Sequence, residues 1–315
     1  MRVAIFGAGG VGAYFGGRLA QAGEDVTFIA RGSHLEALRD NGLQVQSVAG
    51  DFVVKPAQAT DDPAAVGEVD VVLVAVKAWQ VPEAAAMMAP LVGSNTVVVP
   101  LENGVEAPDQ LAAELGQEHV AGGLCRIISY IAAPGVIHHV GAEPYVAFGE
   151  LDNRLSRRLE RLRAAFDRAA GVTAEIPADI KVAMWRKFLL IATFSGVGAV
   201  TRAPIGVVRS RPKTRAMLQQ ALREIYDVGR ARGVALEEEA IEAATTFMDN
   251  LPPEATASMQ RDILEGRPSE LESQNGAVVR LGAEAGVETP LHRFIYSALL
   301  PLELRSRGEL DFSIT

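Results

Sequence analysis

The chain has 315 residues, 49% of them hydrophobic and 22% charged, which suits one or two globular domains with sizeable cores. Its formal net charge of −9 argues against nucleic acid or an anionic membrane surface as the main partner. With Cys125 as the only cysteine an internal disulfide is excluded, which fits a reducing, cytoplasmic setting.

Residues 3–6 are a short apolar run that predicts a buried strand. It leads into Gly7-Ala8-Gly9-Gly10-Val11-Gly12, and residues 13–22 then read as a helix ended by Gly23. Strand, glycine turn and helix together make the dinucleotide-binding pattern. Gly7 permits the tight turn, Gly9 lets a pyrophosphate approach the backbone, and Gly12 lets helix and strand pack closely. The helix N-terminus adds free N–H groups and a positive dipole end. A tight turn in some other α/β protein has the same spacing, but here strand and helix agree on both sides. With the pattern starting at residue 2, no secretory leader is expected.

Residues 26–30 predict the second strand, whose end selects between nicotinamide cofactors. An acid there would bind the ribose 2′-hydroxyl of NAD; instead Arg31 stands there, with Ser33 beyond, and no acid. Arg31 can stack on adenine and pair with a 2′-phosphate, so the pattern points to NADP. Residues 33–41 read as a short helix and 43–54 as one or two strands. Residues 69–76 form an almost continuously apolar strand, interrupted only by Asp70 and so read as buried on both faces, with Lys77 at its carboxyl end. A helix over 81–91 and a strand over 96–99 follow, the strand ending near Asn103-Gly104. Lys77 and Asn103 both occupy the sheet edge where ligands bind. An exposed lysine and an ordinary turn explain the same positions.

Short β-like runs over 120–130, 136–140 and 145–148 predict antiparallel strands closing the sheet. Cys125 lies in one of them and reads as a buried structural thiol. His138 and His139 are adjacent in a strand, so they point to opposite faces and cannot form one metal site. No metal is expected. Residues 151–170 predict an arginine-rich helix and 172–176 a last strand. Beyond Asp179 the pattern is helical: 180–199, 215–232, 236–250, 271–285 and 290–306. The apolar run 188–200 is too short to cross a membrane. The fold class is α/β: an N-terminal Rossmann-type dinucleotide-binding domain over 1–178, then an all-α domain over 179–315. Such a helical domain usually supplies the substrate side of a cleft. Its apolar stripes fit a homodimer interface or a buried core equally well.

Two places in the helical half carry candidate chemistry. Trp185-Arg186-Lys187 opens its first helix, and lysine is a plausible proton donor. Ser258-Met259-x-x-Asp262 precedes Gly266-Arg267-x-Ser269-Glu270, where Ser269 can cap a helix and Glu270 falls in its first turn.

This ordered set resembles the ketopantoate reductases (2-dehydropantoate 2-reductases), NADPH-dependent enzymes of pantothenate synthesis. The resemblance covers essentially the whole chain. Its specific signatures are Val76-Lys77-Ala78, Asn103-Gly104, Trp185-Arg186-Lys187 and the stretch from Ala257 to Glu270. It implies that Lys187 protonates the substrate carbonyl oxygen and that Glu270 acts near cofactor and substrate. It further implies that Lys77 and Asn103 contact cofactor and substrate and that Ser258 binds the substrate carboxylate. The implied reaction is pro-S hydride transfer from NADPH to a 2-oxo acid, giving a 2-hydroxy acid. Three positions depart from the family pattern, which has asparagines where this chain has Ile191 and Ser195, four and eight residues beyond Lys187, and Ile205, in the loop beyond. Ser195 is then the substrate-facing replacement. Losing amides from a site changes which partner groups it accepts, so a more apolar 2-oxo acid or ketone is an alternative substrate. A second alternative is a non-catalytic NADP-binding regulator.

Overall fold

The computed structural model describes residues 1–141 and 143–313. The first unit begins β1 (Arg2–Phe6), α1 (Gly10–Gln21), β2 (Asp25–Ile29), α2 (Gly32–Asn41) and the short strands β3 (Leu43–Ser47), β4 (Phe52–Val54) and β5 (Gln58–Thr60). It continues with β6 (Val69–Val74), α3 (Val81–Met88), β7 (Val92–Pro100) and α4 (Ala107–Leu115). Then come β8 (Ala121–Arg126), β9 (Ser129–Ala133), β10 (Val136–His139), β11 (Tyr145–Glu150), α5 (Arg157–Asp167) and β12 (Thr173–Glu175).

Five parallel strands form the central sheet in the order β5-β2-β1-β6-β7. The central strands read as apolar runs, Val3 to Phe6 in β1, Val71 to Val74 in β6 and Val97 to Val99 in β7, because both faces of the sheet are covered. Val3 and Ile5 of β1, Val71 and Leu73 of β6, and Val97 and Val99 of β7 enter one core with Phe15, Phe148 and Phe166. The alternate residues Ala4, Phe6, Val72, Val74 and Val98 enter a second core with Val81, Ala85 and Leu111. The chain reverses its direction of sheet growth at β1, between β2 and β6, so ligands are expected beyond the carboxyl end of β1. That end is the glycine turn.

The later strands do not close this sheet. β3 and β4 join β9 and β10 in a four-stranded sheet, ordered β4-β3-β10-β9. β8, β11 and β12 make a third sheet, in which β11 pairs antiparallel to β8 and parallel to β12. Among the described residues, an isolated bridge from Val98 to Val120, just before β8, links the main sheet to that strand. The strands expected over 43–54 form a hairpin that gives β10 a partner away from the main sheet. His138 is half-buried and His139 fully buried, as alternation requires, and Cys125 is buried.

The second unit is helical: α6 (Ile180–Thr201), α7 (Ile205–Ser210), α8 (Pro212–Ala231), α9 (Glu239–Asn250), α10 (Ser258–Leu264), α11 (Ala277–Ala285) and α12 (Pro290–Ser306). No strand occurs beyond residue 175 among the described residues. The predicted 271–285 helix is interrupted at its start by a π turn, Glu272–Gly276. At 22 residues and mean hydropathy 1.2, α6 is long and apolar enough to cross a membrane, contrary to the sequence expectation. However, 67% of that window is buried inside the protein, the pattern of a core helix. Its buried side chains Phe188, Leu189, Ala192 and Val197 belong to the helical core with Leu222, Ile225 and Val278.

By internal contacts the two units comprise residues 1–102 with 107–180, and residues 103–106 with 181–315. The stretch 103–106 therefore packs with the helical unit although it follows β7 directly.

Candidate functional site

In the first unit the glycine turn is shaped by backbone crowding. Gly7 has φ of +99°, and a Cβ there would lie 2.8 Å from the Ala75 carbonyl oxygen. A Cβ on Gly12 would sit 2.1 Å from the Gly7 carbonyl oxygen, so only glycine lets α1 start this close to β1. Gly9 differs, since nothing lies within 4 Å of the Cβ it lacks. Gly9 is also the N-cap of α1 and has no side chain to satisfy the first-turn N–H groups of Gly10, Val11 and Gly12. Open space faces uncapped donors at the positive end of a helix, with Ala8 buried behind it. That arrangement fits a pyrophosphate.

Arg31 follows β2 and is exposed, its guanidinium 3.2 Å from the Met87 sulfur. No acid occupies that strand end. Lys77 is also exposed; its Nζ lies 5.7 Å from the centre of the Trp79 ring, and its amide N–H donates to Gln80. Behind it Glu102, a buried acid, accepts the Val76 amide at 3.1 Å.

In the helical unit the chemistry gathers around Glu270, only 6% exposed. Asn103 Nδ2 donates to its Oε2 at 2.9 Å, and Gln274 Nε2 donates to the same oxygen at 3.3 Å. Burying a carboxylate is costly unless its oxygens find donors, and these two amides supply them to one oxygen. Ser269 caps the turn as its type suggests: its Oγ accepts the Leu271 amide at 3.2 Å. Ser269 is in turn clamped from α12, donating its N–H to both oxygens of Glu303 at 3.1 Å and its hydroxyl to Oε2 at 2.5 Å. Arg307 completes the clamp, donating to Glu303 at 2.7 Å and to the Ser269 carbonyl at 3.2 Å.

Asn103 is held independently. Glu106 pairs with Arg280 of α11 at 2.8 Å, and Arg280 also pairs with Glu272. Tyr296 donates to Glu272 at 2.5 Å; burial, then that bond, pushes its phenol up to about 12. The π turn is pinned beneath by Asn275, which donates to the Ala192 carbonyl of α6 at 3.2 Å and to His292 Nδ1 at 2.9 Å. His292 gives its Nε2 proton to the Ala221 carbonyl at 3.1 Å, which fixes the tautomer. Desolvation holds this histidine below its usual range.

Lys187 lies in the second turn of α6 rather than opening it, because the helix already starts at Ile180. It is half-buried and forms no ion pair among the described residues. Ile191 and Ser195 follow at spacings of four and eight, so they share its face. Ile191 is half-buried and Ser195 is 3% exposed. Further along α6, a Cβ on Gly198 would meet the Gln260 side chain, whose amide donates to the Ala203 carbonyl at 3.0 Å. Ser258 stands exposed at the first position of α10. Ile205 is not in a loop: it opens α7, is 1% exposed and packs in the helical core.

Thus the structure joins Asn103 to Glu270 by a direct bond. Lys187, Ser195 and Ser258 stand on α6 and α10 with no hydrogen bond to that pair among the described residues. Sequence reasoning missed Gln274, Glu106, Arg280, Asn275 and Glu303. Only Gln274 had a signal, its helical spacing of four from Glu270.

Comparison with known proteins agrees with this layout. Residues 3–153 match the model of "Ketopantoate reductase PanE/ApbA" and residues 179–303 that of "Ketopantoate reductase PanE/ApbA C terminal". The chain is 32% identical over 305 residues to the uncharacterized oxidoreductase YkpB of Bacillus subtilis (strain 168), covering 95% of this chain and 98% of that one. The crystal structure of 2-dehydropantoate 2-reductase from Geobacter metallireducens GS-15 superposes with a TM-score of 0.88 at 31% identity, covering 95% and 99% of the two chains. D-mandelate dehydrogenase, solved with NADH and anilino(oxo)acetate, shares the fold alone, with a TM-score of 0.87 at 22% identity over 98% and 99%. Both halves are matched and the relatives run nearly end to end with this sequence; the chain belongs to the ketopantoate reductase family and is a dinucleotide-dependent oxidoreductase acting on CH–OH, of the 2-dehydropantoate 2-reductase type.

Proposed function

We propose that the chain uses NADPH to reduce a 2-oxo acid, foremost 2-dehydropantoate, to the 2-hydroxy acid. The observation that carries this reading is the Asn103–Glu270 bond inside the helical unit, 167 positions apart in sequence. A bound dinucleotide would supply the hydride for the carbonyl carbon. Gly7 to Gly12 would hold its pyrophosphate, Arg31 its 2′-phosphate, and Lys77 and Asn103 its nicotinamide end. Hydride addition leaves a negative oxygen, and Lys187 neutralises it by giving up a proton as general acid. Glu270, beside cofactor and substrate, would accept a hydrogen bond from the hydroxyl that the reduction creates, and Ser195 and Ser258 offer hydroxyl donors to the substrate carboxylate. Arg31 and the missing acid at the end of β2 support NADPH over NADH. A cytoplasmic homodimer is the form we assign to the enzyme.

A second reading keeps this chemistry and changes the substrate to a more apolar 2-oxo acid. Ile191, half-buried on the Lys187 face, favours it, and the fold is shared by D-mandelate dehydrogenase, which was solved with anilino(oxo)acetate. Ile205 gives it no support, because that side chain is buried in the helical core. Dinucleotide oxidation measured over a panel of 2-oxo acids tests both readings. Turnover of 2-dehydropantoate with a lower KM for NADPH than for NADH is expected. Faster turnover of an aromatic or branched 2-oxo acid would favour the second reading. Tight NADPH binding without oxidation by any member would leave a regulator.

A further inference from the structure

We propose that Gln274 is a positioning residue for the reaction, setting the plane of the Glu270 carboxylate; the proposal rests on the role given to Glu270 above. The terminal torsion of a glutamate is broad and nearly two-fold, so the chain alone does not fix which oxygen faces where. Here two amides from separate places, Asn103 at 2.9 Å and Gln274 at 3.3 Å, converge on Oε2. The other oxygen, Oε1, takes no hydrogen bond among the described residues. Tying one oxygen twice turns the second toward whatever Glu270 serves.

Gln274 has little other reason to be polar. It is 1% exposed, and its own Oε1 is buried without a partner. Methionine or leucine would fill the same space without stranding an acceptor, which is destabilising. The amide is therefore explained by its donor end. Its aim is fixed by the backbone: the Gln274 N–H donates to the Glu270 carbonyl at 3.0 Å, and Gly276 N–H to the Leu271 carbonyl at 2.9 Å in the π turn. Asn275 anchors the same turn to α6 and α12.

The test compares Gln274→Met, Glu270→Gln and the double variant in the full-length protein, with the best 2-oxo acid of the panel. Gln274→Met is expected to lower kcat by about three- to thirty-fold with the KM for NADPH unchanged. In the Glu270→Gln background it is expected to lower kcat no further. A kcat within about two-fold of the parent, or losses that multiply, would overturn the proposal. A second readout needs no turnover. In the NMR spectrum, the side-chain amide protons of Gln274 and Asn103 should both shift when Glu270 becomes Gln. Unmoved Gln274 protons overturn the contact whatever the kinetics. If Glu270→Gln leaves turnover intact, the role of Glu270 fails, and the amide signal alone decides the placement of Gln274.

Discussion

The glycine turn of the first unit and the Glu270 frame of the second solve different problems by different means. The turn is contiguous and works through backbone: six adjacent residues, four of them glycines whose missing side chains permit both the close approach at Gly12 and the space at Gly9. The frame is dispersed and works through side chains, drawing on Asn103, Glu106, Glu270, Gln274, Arg280 and Glu303. A backbone site tolerates few substitutions and recognises a group common to many ligands. A side-chain frame can be retuned one contact at a time, which is how one fold serves different substrates.

The comparison can be broken at several points. The largest effect is expected at Lys187, which lies outside both regions. Lys187→Ala should lower kcat by about two to four orders of magnitude while leaving dinucleotide affinity unchanged. Steady-state kinetics with a fluorescence titration of NADPH check this, and near-parental turnover would remove Lys187 as the acid. Within the turn, two neighbouring glycines should behave oppositely. Gly9→Ala should leave the thermal midpoint unchanged and weaken dinucleotide binding by about ten- to a hundred-fold, since the new methyl group enters open space over the donors. Gly12→Ala should lose about 1–3 kcal/mol of stability, because its methyl group meets the Gly7 carbonyl. Equal thermal midpoints for the two variants would contradict the crowding argument.

The frame should respond more gently. Arg280→Ala releases Glu106, and with it the stretch carrying Asn103, so kcat should fall by about three- to ten-fold, in line with a loss of about one hydrogen bond's worth of positioning. A fall of a hundred-fold would mean that Arg280 touches the reacting groups. The smallest effect is one of pH. His292 is held neutral below its usual range by burial, so the unfolded chain takes up a proton that the folded protein refuses. Its contribution to stability is therefore fully present above about pH 6.5 and declines as the pH falls below that value. His34, lowered by burial in the first unit, acts in the same sense. Thermal midpoints from pH 8 to 5 should fall below about 6.5. The fall should be shallower in His292→Gln, and an unchanged slope would exclude this histidine.

The two regions were also unequally legible in the sequence. The crowding at Gly7 and Gly12 could be read, because each follows from its place between a strand and a helix; the packing of Gly10 against the Ser129 carbonyl could not. The sheet's apolar runs were equally plain, since both of its faces are buried. The later strands were misassigned: nothing local says that β10 will pair with β3 and β9 rather than extend the main sheet. In the helical unit Glu270 and Ser269 stood out by cap chemistry, but their supports did not. Glu303, 34 positions away, looks like any acid on an amphipathic helix until it is found receiving the Ser269 amide. Gln274-Asn275-Gly276 looked like ordinary helix, and the π turn that aims Gln274 depends on Asn275 reaching two other helices. Ile205 looked like a loop residue beside the substrate and is a core residue instead.

The central claim is that Lys187 and the Glu270 frame reduce a 2-oxo acid with NADPH. The most direct measurement is NADPH oxidation over the 2-oxo acid panel, run in parallel on the parent, Lys187→Ala and Glu270→Gln. The account predicts at least one 2-oxo acid reduced by the parent, with both variants binding NADPH normally and turning over at least about a hundred-fold more slowly. NADPH bound tightly by all three proteins, with none oxidising it against any 2-oxo acid, would contradict it.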